Sequence, residues 1–191
     1  MVIGVLALQG AFARHIEACT QLGVKAREIR VPSDLADVDA LILPGGESTT
    51  MSKLLESQRL FAPIAERLAG GMAAFGTCAG MILLAGSVLD GRPDQRSFDA
   101  IDLTVRRNGY GRQVDSFETD LVVTDIAGGS FHAVFIRAPR VEAVGAGVDV
   151  LARVGDDPVV CRSGRVLVAA FHPELTDDLR LHEHFLSLTG V

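Results

Sequence analysis

Cysteine is scarce in this 191-residue sequence, and its three cysteines, Cys19, Cys78 and Cys161, are far apart. An odd number at irregular spacing predicts neither a disulfide framework nor a zinc knuckle, and it favours a reducing compartment. Runs of basic residues are also absent, and the formal net charge is −6. This charge argues against nucleic acids and anionic membrane surfaces as partners.

Long apolar runs are missing too. The apolar start VIGVLAL (residues 2–8) is too short to cross a bilayer and lacks a basic leader, so we interpret it as a buried strand. No linker, repeat or low-complexity segment divides the chain, and its length allows one sizeable core. The sequence therefore predicts a single domain over residues 1–191 and a cytoplasmic location.

The first half of the sequence contains alternating strand and helix patterns. Continuous apolar runs predict strands covered on both faces, and apolar residues at helical spacing, such as Phe12, Ile16 and Cys19, predict the helices. The predicted strands are 2–8, 24–31, 40–44 and 72–75, and the predicted helices are 11–22, one opening at Ser48 or Thr49, 61–68 and 79–85. The short loops indicate βαβ units and a parallel sheet.

The pattern changes after Gly91. The strand-like segments that follow are interpreted as antiparallel additions to the sheet edge, and they cover 97–105, 120–126, 133–139, 149–154, 158–162 and 165–171. The last helix is predicted to open at Thr176, with Asp177 and Asp178 in its first turn. The predicted fold is a three-layer α/β domain with a mostly parallel central sheet, flanking helices and antiparallel edge strands.

Cys78 lies at a joint between two buried elements. The stretch GTCAG (residues 76–80) follows a predicted strand and opens a predicted helix, which is the pattern of a nucleophile elbow with sulfur in place of a hydroxyl. Amides at the helix start favour the reactive thiolate. The alternative is a small buried hydrophobe, because free cysteine is among the most buried residue types.

A base for this thiol is predicted in the stretch HPE. His172 follows a buried strand, and Pro173 favours an extended conformation that puts the carboxylate of Glu174 beside the imidazole. Such a pair fixes the tautomer and leaves the other ring nitrogen free to take a proton from Cys78. The alternative for HPE is a turn at a strand end. His15 is interpreted as a loop-packing residue.

A third segment, LILPGGEST (residues 41–49), ends a strand at the same predicted sheet edge. The amides of Gly45 and Gly46 can face the thiol as an oxyanion hole, although PGG is also a common turn. The segment lacks the lysine spacing of a P-loop, and no G-x-G-x-x-G follows the first strand, so nucleotide binding is not supported. His182 and His184 lie on different faces of one predicted helix, and no cofactor or metal site is predicted.

Together these segments resemble the class I, or triad, glutamine amidotransferases, and among them the glutaminase subunits of pyridoxal 5′-phosphate synthases. GTCAG and HPE are shared widely among glutaminases, whereas PGGESTT and GRQVDSFE are more specific. The resemblance spans residues 4 to 176. It implies a flavodoxin-like fold and a catalytic triad of Cys78, His172 and Glu174.

The resemblance also implies the rest of the site. The implied glutamine-binding residues are Gly46, Glu47, Ser48, Arg107, Ile136 and Arg137. The residues implied in oxyanion stabilisation and activation are Gly45, Gly46, Ala79, Gln9 and Gly10. Arg107 is chosen over Arg106 because it directly precedes Asn108.

The implied reaction is hydrolysis of L-glutamine to L-glutamate and ammonia through a thioester intermediate. The ammonia would pass to a partner synthase subunit in a hetero-oligomeric complex, and activity would stay weak until that partner docks. Three alternatives remain open. They are a glutaminase of another pathway, such as histidine biosynthesis, a non-catalytic redox-cysteine or chaperone-like protein of the same fold, and a cysteine peptidase or esterase.

Overall fold

The computed structural model describes residues 1–109 and 116–190. The α-helices within these residues are α1 (Phe12–Gln21), α2 (Ser48–Ser57), α3 (Phe61–Ala69), α4 (Ala79–Leu84) and α5 (Arg180–Ser187). The strands within them are β1 (Val2–Leu6), β2 (Lys25–Ile29), β3 (Ala40–Leu43), β4 (Ala73–Thr77), β5 (Ala85–Leu89), β6 (Ile101–Arg106), β7 (Ser116–Leu121), β8 (Phe131–Ile136), β9 (Arg140–Val144), β10 (Asp149–Val154), β11 (Asp157–Ser163) and β12 (Val166–Ala169).

A seven-stranded sheet forms the centre of the fold, in the order β10-β11-β12-β4-β3-β1-β2. The neighbours from β12 to β2 run parallel, and β10 and β11 extend the sheet antiparallel at one edge. Residues of β3 and β4 are buried throughout because both faces of the sheet are covered. This arrangement confirms the predicted fold class.

The two faces of β4 show how the three layers are built. Successive side chains on a strand point to opposite faces. Phe75 packs its ring against His182 and Phe185 of α5, at centroid distances of 5.6 and 5.5 Å. Its neighbour Gly76 faces α4, because a methyl group there would lie 2.6 Å from the backbone of Gly80. Helix α4 therefore covers one face of the sheet at this strand, and α5 covers the other.

The antiparallel half differs from the prediction. Only β10 and β11 extend the central sheet, whereas β5, β6 and β9 form a separate three-stranded sheet, and β7 pairs only with β8. The segment 165–171, predicted as an antiparallel edge strand, contains β12, which is a parallel neighbour of β4. A predicted strand at 120–126 overlaps β7 by two residues, and β5 and β9 were not predicted. Their exposed and half-buried residues give no alternating apolar signal.

The last helix begins later than predicted. A 3₁₀ turn over Pro173–Leu175 and an extended Thr176 precede it, and α5 begins at Arg180. The carboxylate of Asp178 accepts a hydrogen bond from the N–H of Arg180 at 3.1 Å. Asp177 and Asp178 therefore precede the helix instead of forming its first turn, and the prediction of an opening at Thr176 is wrong.

Candidate active site

Cys78 lies in the sharp turn between β4 and α4. Its φ of 48° and ψ of −103° are unusual for a residue with a side chain, and such strain is typical of nucleophile elbows. The N–H of Cys78 donates to the carbonyl of Ala169 at 2.8 Å, which ties the turn to β12. Gly80 allows α4 to start this close to the sheet, because any side chain there would overlap the carbonyl of Leu43.

His172 comes to the same sheet edge from the neighbouring strand. Ala169 of β12 pairs with Thr77 of β4, so the two chains leave the sheet side by side. The N–H of His172 donates to the carbonyl of Val134 at 2.9 Å and fixes the residue against β8. Its ring faces the elbow, because a methyl group on Gly45 would overlap the imidazole and lie 3.3 Å from Cβ of Cys78.

Glu174 reaches the imidazole by a different route from the one predicted. Nδ1 of His172 lies 2.8 Å from Oε1 of Glu174, so the expected pair is present. The intervening backbone is a 3₁₀ turn over Pro173–Leu175, not an extended segment. Glu174 is buried, and Oε1 fixes the orientation of the ring that faces Cys78.

The surroundings of His172 favour its protonated form. Burial opposes a charge on His172, but hydrogen bonds with Cys78 and Glu174 and their negative charges outweigh it and raise its pKa to about 10. Burial also acts on Glu174, yet the hydrogen bond from His172 and the nearby imidazoles of His15 and His172 lower its pKa. At neutral pH the arrangement therefore supports an imidazolium at His172, between Cys78 and an ionised Glu174.

A cleft of about 310 Å³ opens above Cys78 and His172. The predicted site residues that line it are Gln9, Gly46, Glu47, Ser48, Cys78, Arg107, Ile136, Arg137 and His172. Four others support it without lining it, namely Gly10, Gly45, Ala79 and Glu174. Residues that line it and were not predicted are Ala11, Ile82, Asn108 and Leu175.

The charged groups in the cleft differ in their partners. Nη2 of Arg107 lies 2.7 Å from Oε1 of Glu47. Burial alone would raise the pKa of Glu47, but hydrogen bonds from Thr50 and Thr49 and the charge of Arg107 lower it to about 2. Arg137 lines the same cleft, and among the described residues its guanidinium has no hydrogen-bond or ion-pair partner.

The two adjacent arginines lie in different surroundings. Arg107 lines the cleft. Arg106 points elsewhere, because its guanidinium pairs with Asp90 and Glu142 beside the three-stranded sheet.

The glycine segment and the first loop contact each other beside the elbow. Oε1 of Gln9 accepts a hydrogen bond from the N–H of Glu47 at 2.9 Å. Gly10 packs so closely against the carbonyl of Gly45 that a side chain on Gly10 would overlap it. In the described part of the chain, the N–H groups of Gly46 and Ala79 have no hydrogen-bond acceptor outside regular helices and strands. Both amides remain available to a ligand.

Two buried histidines lie behind Glu174, and neither was predicted as a site residue. His15 is fully buried, with Nε2 3.4 Å from Oε2 of Glu174, and is not a loop-packing residue. Its neighbour His182 is also fully buried. A signal for His15 was present, because it lies three residues after Phe12 and one before Ile16, on the apolar stripe of α1.

Residues 1–109 and 116–190 lack two features. No group of three or more His, Cys, Asp or Glu side chains there could hold a metal ion. No helix there combines the length and the apolar character that crossing a membrane requires. Of the specific stretch GRQVDSFE, residues 111–115 lie outside the described residues.

A parallel sheet with a cysteine elbow beside a His–Glu pair defines the class of this protein, a class I glutamine amidotransferase. More narrowly, the chain belongs to the SNO glutamine amidotransferase family, whose sequence profile matches residues 5–189. It is similar to pyridoxal 5′-phosphate synthase subunit PdxT of Parafrankia sp. (strain EAN1pec), with 54% identity over 97% of this chain and 92% of that protein.

Two further relatives support the same family assignment. PdxT of Salinispora arenicola (strain CNS-205) is also 54% identical, over 98% of this chain and 96% of that protein. Among solved structures, one described as a crystal structure of glutamine amidotransferase superposes with a TM-score of 0.93. It is 51% identical to this chain, and the match covers 100% of both chains.

Proposed function

We propose that this chain hydrolyses L-glutamine to L-glutamate and ammonia with Cys78 as nucleophile, His172 as acid and base, and Glu174 as the group that orients His172. The observation that carries the proposal is the run of contacts at the ends of β4 and β12. The cysteine in the strained turn and the imidazole line one cleft, and the imidazole lies 2.8 Å from a buried carboxylate. Membership of a glutamine amidotransferase family supports the same substrate.

The first half of the reaction forms a thioester. The thiolate of Cys78 attacks the side-chain amide carbon of glutamine, and charge develops on the amide oxygen. The N–H groups of Gly46 and Ala79, for which the described part of the chain offers no acceptor, are the donors for this oxyanion, and such a donor is typically worth about 3 kcal/mol. The imidazolium of His172 gives its proton to the amide nitrogen, because that nitrogen leaves only when it is protonated. Ammonia departs, and a γ-glutamyl thioester stays on Cys78.

The second half hydrolyses the thioester. His172 is now neutral and removes a proton from water, which attacks the thioester carbon. The carbon–sulfur bond breaks, glutamate is released, and His172 again faces the thiolate of Cys78. Glu174 keeps Nδ1 of His172 occupied in both steps, so that the other ring nitrogen always faces the reacting atoms.

The charged rim of the cleft suits a small zwitterion. The guanidinium of Arg137, which has no partner among the described residues, fits the α-carboxylate of glutamine, since arginine binds carboxylates through two N–H groups. Glu47, held ionised beside Arg107, fits the α-ammonium group. Ser48 and Ile136 complete the binding walls. This charge pattern is less suited to a peptide or ester substrate, which lacks both charges beside the scissile bond.

Ammonia has to be used by a second protein. Free ammonia near neutral pH is mostly protonated and is then no longer nucleophilic, so it must be handed over inside a complex. The PdxT relatives are named as subunits of pyridoxal 5′-phosphate synthase, and we assign this chain the same place, as the ammonia-donating subunit for pyridoxal 5′-phosphate (vitamin B6) biosynthesis. This proposal includes a single domain over residues 1–191, a cytoplasmic location, and activation through rearrangement at Gly45–Gly46 and the Gln9–Gly10 loop.

The test measures glutamate release from glutamine with and without the synthase subunit of the same organism. Wild-type chain is expected to turn over glutamine when the synthase is present, and Cys78→Ala is expected to lose at least about 10³-fold. Exposed His132→Asn serves as the matched control and should keep wild-type turnover. A wild type that stays inactive with the synthase would contradict the pathway, and an active Cys78→Ala would contradict the mechanism.

A further inference from the structure

Behind the catalytic carboxylate lies a closed polar cluster that the reaction steps above do not use. His15 on α1 and His182 on α5 are fully buried, and Nδ1 of His15 lies 2.9 Å from Nε2 of His182. Nε2 of His15 lies 3.3 Å from Oγ1 of Thr77 and 3.4 Å from Oε2 of Glu174. The two histidines are 167 residues apart in sequence and meet only through the packing of their helices.

The surroundings of this pair keep both rings neutral. Phe75 presents its ring edge-on to both imidazoles, at centroid distances of 6.3 and 5.6 Å. Burial lowers the pKa of His15, although the charge of Glu174 acts in the opposite direction. Burial lowers the pKa of His182 to about 3. Each ring therefore carries one N–H at neutral pH. Which nitrogen of each ring holds that proton determines which hydrogen bonds the pair can make.

Two of the four possible proton placements form the hydrogen bond between Nδ1 of His15 and Nε2 of His182, and satisfaction of the remaining polar atoms decides between these two. If both protons sit on Nε2, His182 donates to Nδ1 of His15, and His15 points its own N–H toward Thr77 and Glu174. The atom left without a partner is then Nδ1 of His182, an unprotonated nitrogen. If both protons sit on Nδ1, His182 has a buried N–H with no acceptor, and a lone pair of His15 faces the carboxylate. A buried N–H without an acceptor loses its hydration with nothing in exchange, so the first placement is favoured.

This placement points an N–H of His15 toward the second oxygen of Glu174. Oε1 already faces Nδ1 of His172 at 2.8 Å. Oε2 is buried and has no hydrogen-bond partner among the described residues, while Nε2 of His15 lies 3.4 Å away. A buried carboxylate oxygen without a donor favours rotation or protonation of the group, and either change would release His172.

We propose that His15, supported by His182, is a positioning residue that holds the carboxylate of Glu174 ionised and turned toward His172. The inference rests on the proposed glutaminase function and extends its triad by two groups that never touch the substrate. Because the pair acts through Glu174, its loss affects the chemical step and leaves glutamine binding in the cleft intact. The expected signature is therefore a fall in kcat at nearly constant KM.

The first experiment compares His15→Leu with His15→Gln in the complex with the synthase subunit. Gln keeps an N–H donor near the position of Nε2, whereas Leu fills similar space without a donor. His15→Leu should lower kcat about 10- to 100-fold, the range seen when an outer-shell partner is removed, with KM within about 2-fold. His15→Gln should recover most of kcat. The matched control is His184→Leu, on another face of α5, which should keep wild-type kcat.

Two results of this comparison would overturn the proposal. One is wild-type kcat in His15→Leu. The other is an equal loss in both His15 variants that follows their melting temperatures, since a merely structural role predicts this. Wild-type chain without any turnover in the complex would instead contradict the proposed function itself.

The second experiment needs no variant and therefore no assumption about folding. Wild-type protein labelled with ¹⁵N-histidine is studied by long-range ¹H–¹⁵N correlation at neutral pH, which distinguishes the two neutral tautomers and the imidazolium. His15 and His182 should both be neutral with the proton on Nε2. An Nδ1–H tautomer or an imidazolium at either residue would overturn the proposal.

Discussion

Cys78 and Cys161 occupy neighbouring regions of one sheet and have opposite surroundings. Cys161 lies inside β11, is fully buried, and pairs in register with Val150 and Val168. Burial raises its pKa to about 12, so its thiol stays protonated. Cys78 sits at a strained turn next to the His172 imidazole, at the floor of an open cleft.

The comparison shows that position in the fold, more than burial, decides what a cysteine does. Cys19, inside α1, resembles Cys161, because burial also raises the pKa of its thiol, to about 11. All three side chains are less than a tenth exposed. Only the one at the carboxyl end of a parallel strand meets a base, since the ends of β4 and β12 lie side by side there.

The largest expected effect comes from removing the imidazole that distinguishes Cys78. We expect His172→Asn to lower glutamine turnover in the complex by about 10³-fold, because both the proton donor and the partner of the thiolate are lost. Iodoacetamide labelling of Cys78 should slow toward the rates of Cys19 and Cys161. Turnover within about 10-fold of wild type would contradict the role of His172.

The second prediction concerns pH. The pKa of His172 is raised in the fold to about 10, so its stabilising contribution is complete below the ordinary histidine value of 6.5. It is lost as the pH rises through about 10. Wild-type melting temperature should therefore fall by about 5 °C more than that of His172→Asn between pH 7 and pH 10. Parallel melting curves of the two proteins across this range would show that the ion pair is absent.

The third prediction separates binding from chemistry in the cleft. Arg137→Gln should raise KM for glutamine about 10-fold and leave kcat within about 3-fold, because the guanidinium binds a part of the substrate that does not react. Arg106→Gln is the matched control, since Arg106 pairs with Asp90 and Glu142 outside the cleft. A fall in kcat at unchanged KM in Arg137→Gln would place Arg137 in the chemical step instead.

The smallest effect is expected at the structural cysteine. Cys161→Ser places a hydroxyl among apolar neighbours and should destabilise the fold by about 1–3 kcal/mol. Turnover in the complex should stay at the wild-type level below the melting temperature. A loss of turnover in folded Cys161→Ser would contradict the claim that Cys161 is structural and takes no part in the reaction.

The parallel half of the fold was predictable, because strands buried on both faces leave continuous apolar runs such as ALIL in β3. The antiparallel half of the fold was less predictable. Strands such as β7, with the sequence SFETDL, have mostly exposed or half-buried residues, and their pairing depends on distant partners. The prediction of which strands would join the central sheet failed for this reason.

The site residues also differ in how far the sequence alone could predict them. Cys78, His172 and Glu174 stand in local motifs, where a turn or a proline limits the geometry, so they could be selected from the sequence alone. The His15–His182 pair has no local motif. Its contact depends on how α1 and α5 pack against the sheet, which the sequence pattern of either helix does not specify.

The most direct test of the account is to trap the acyl-enzyme. The complex is mixed with glutamine, quenched in acid within the first turnover, and digested for peptide mass spectrometry. We expect a γ-glutamyl adduct on the peptide that contains Cys78, and none on the peptides that contain Cys19 or Cys161. Glutamine turnover with an adduct on either of those two cysteines would contradict the claim that the elbow thiol is the nucleophile.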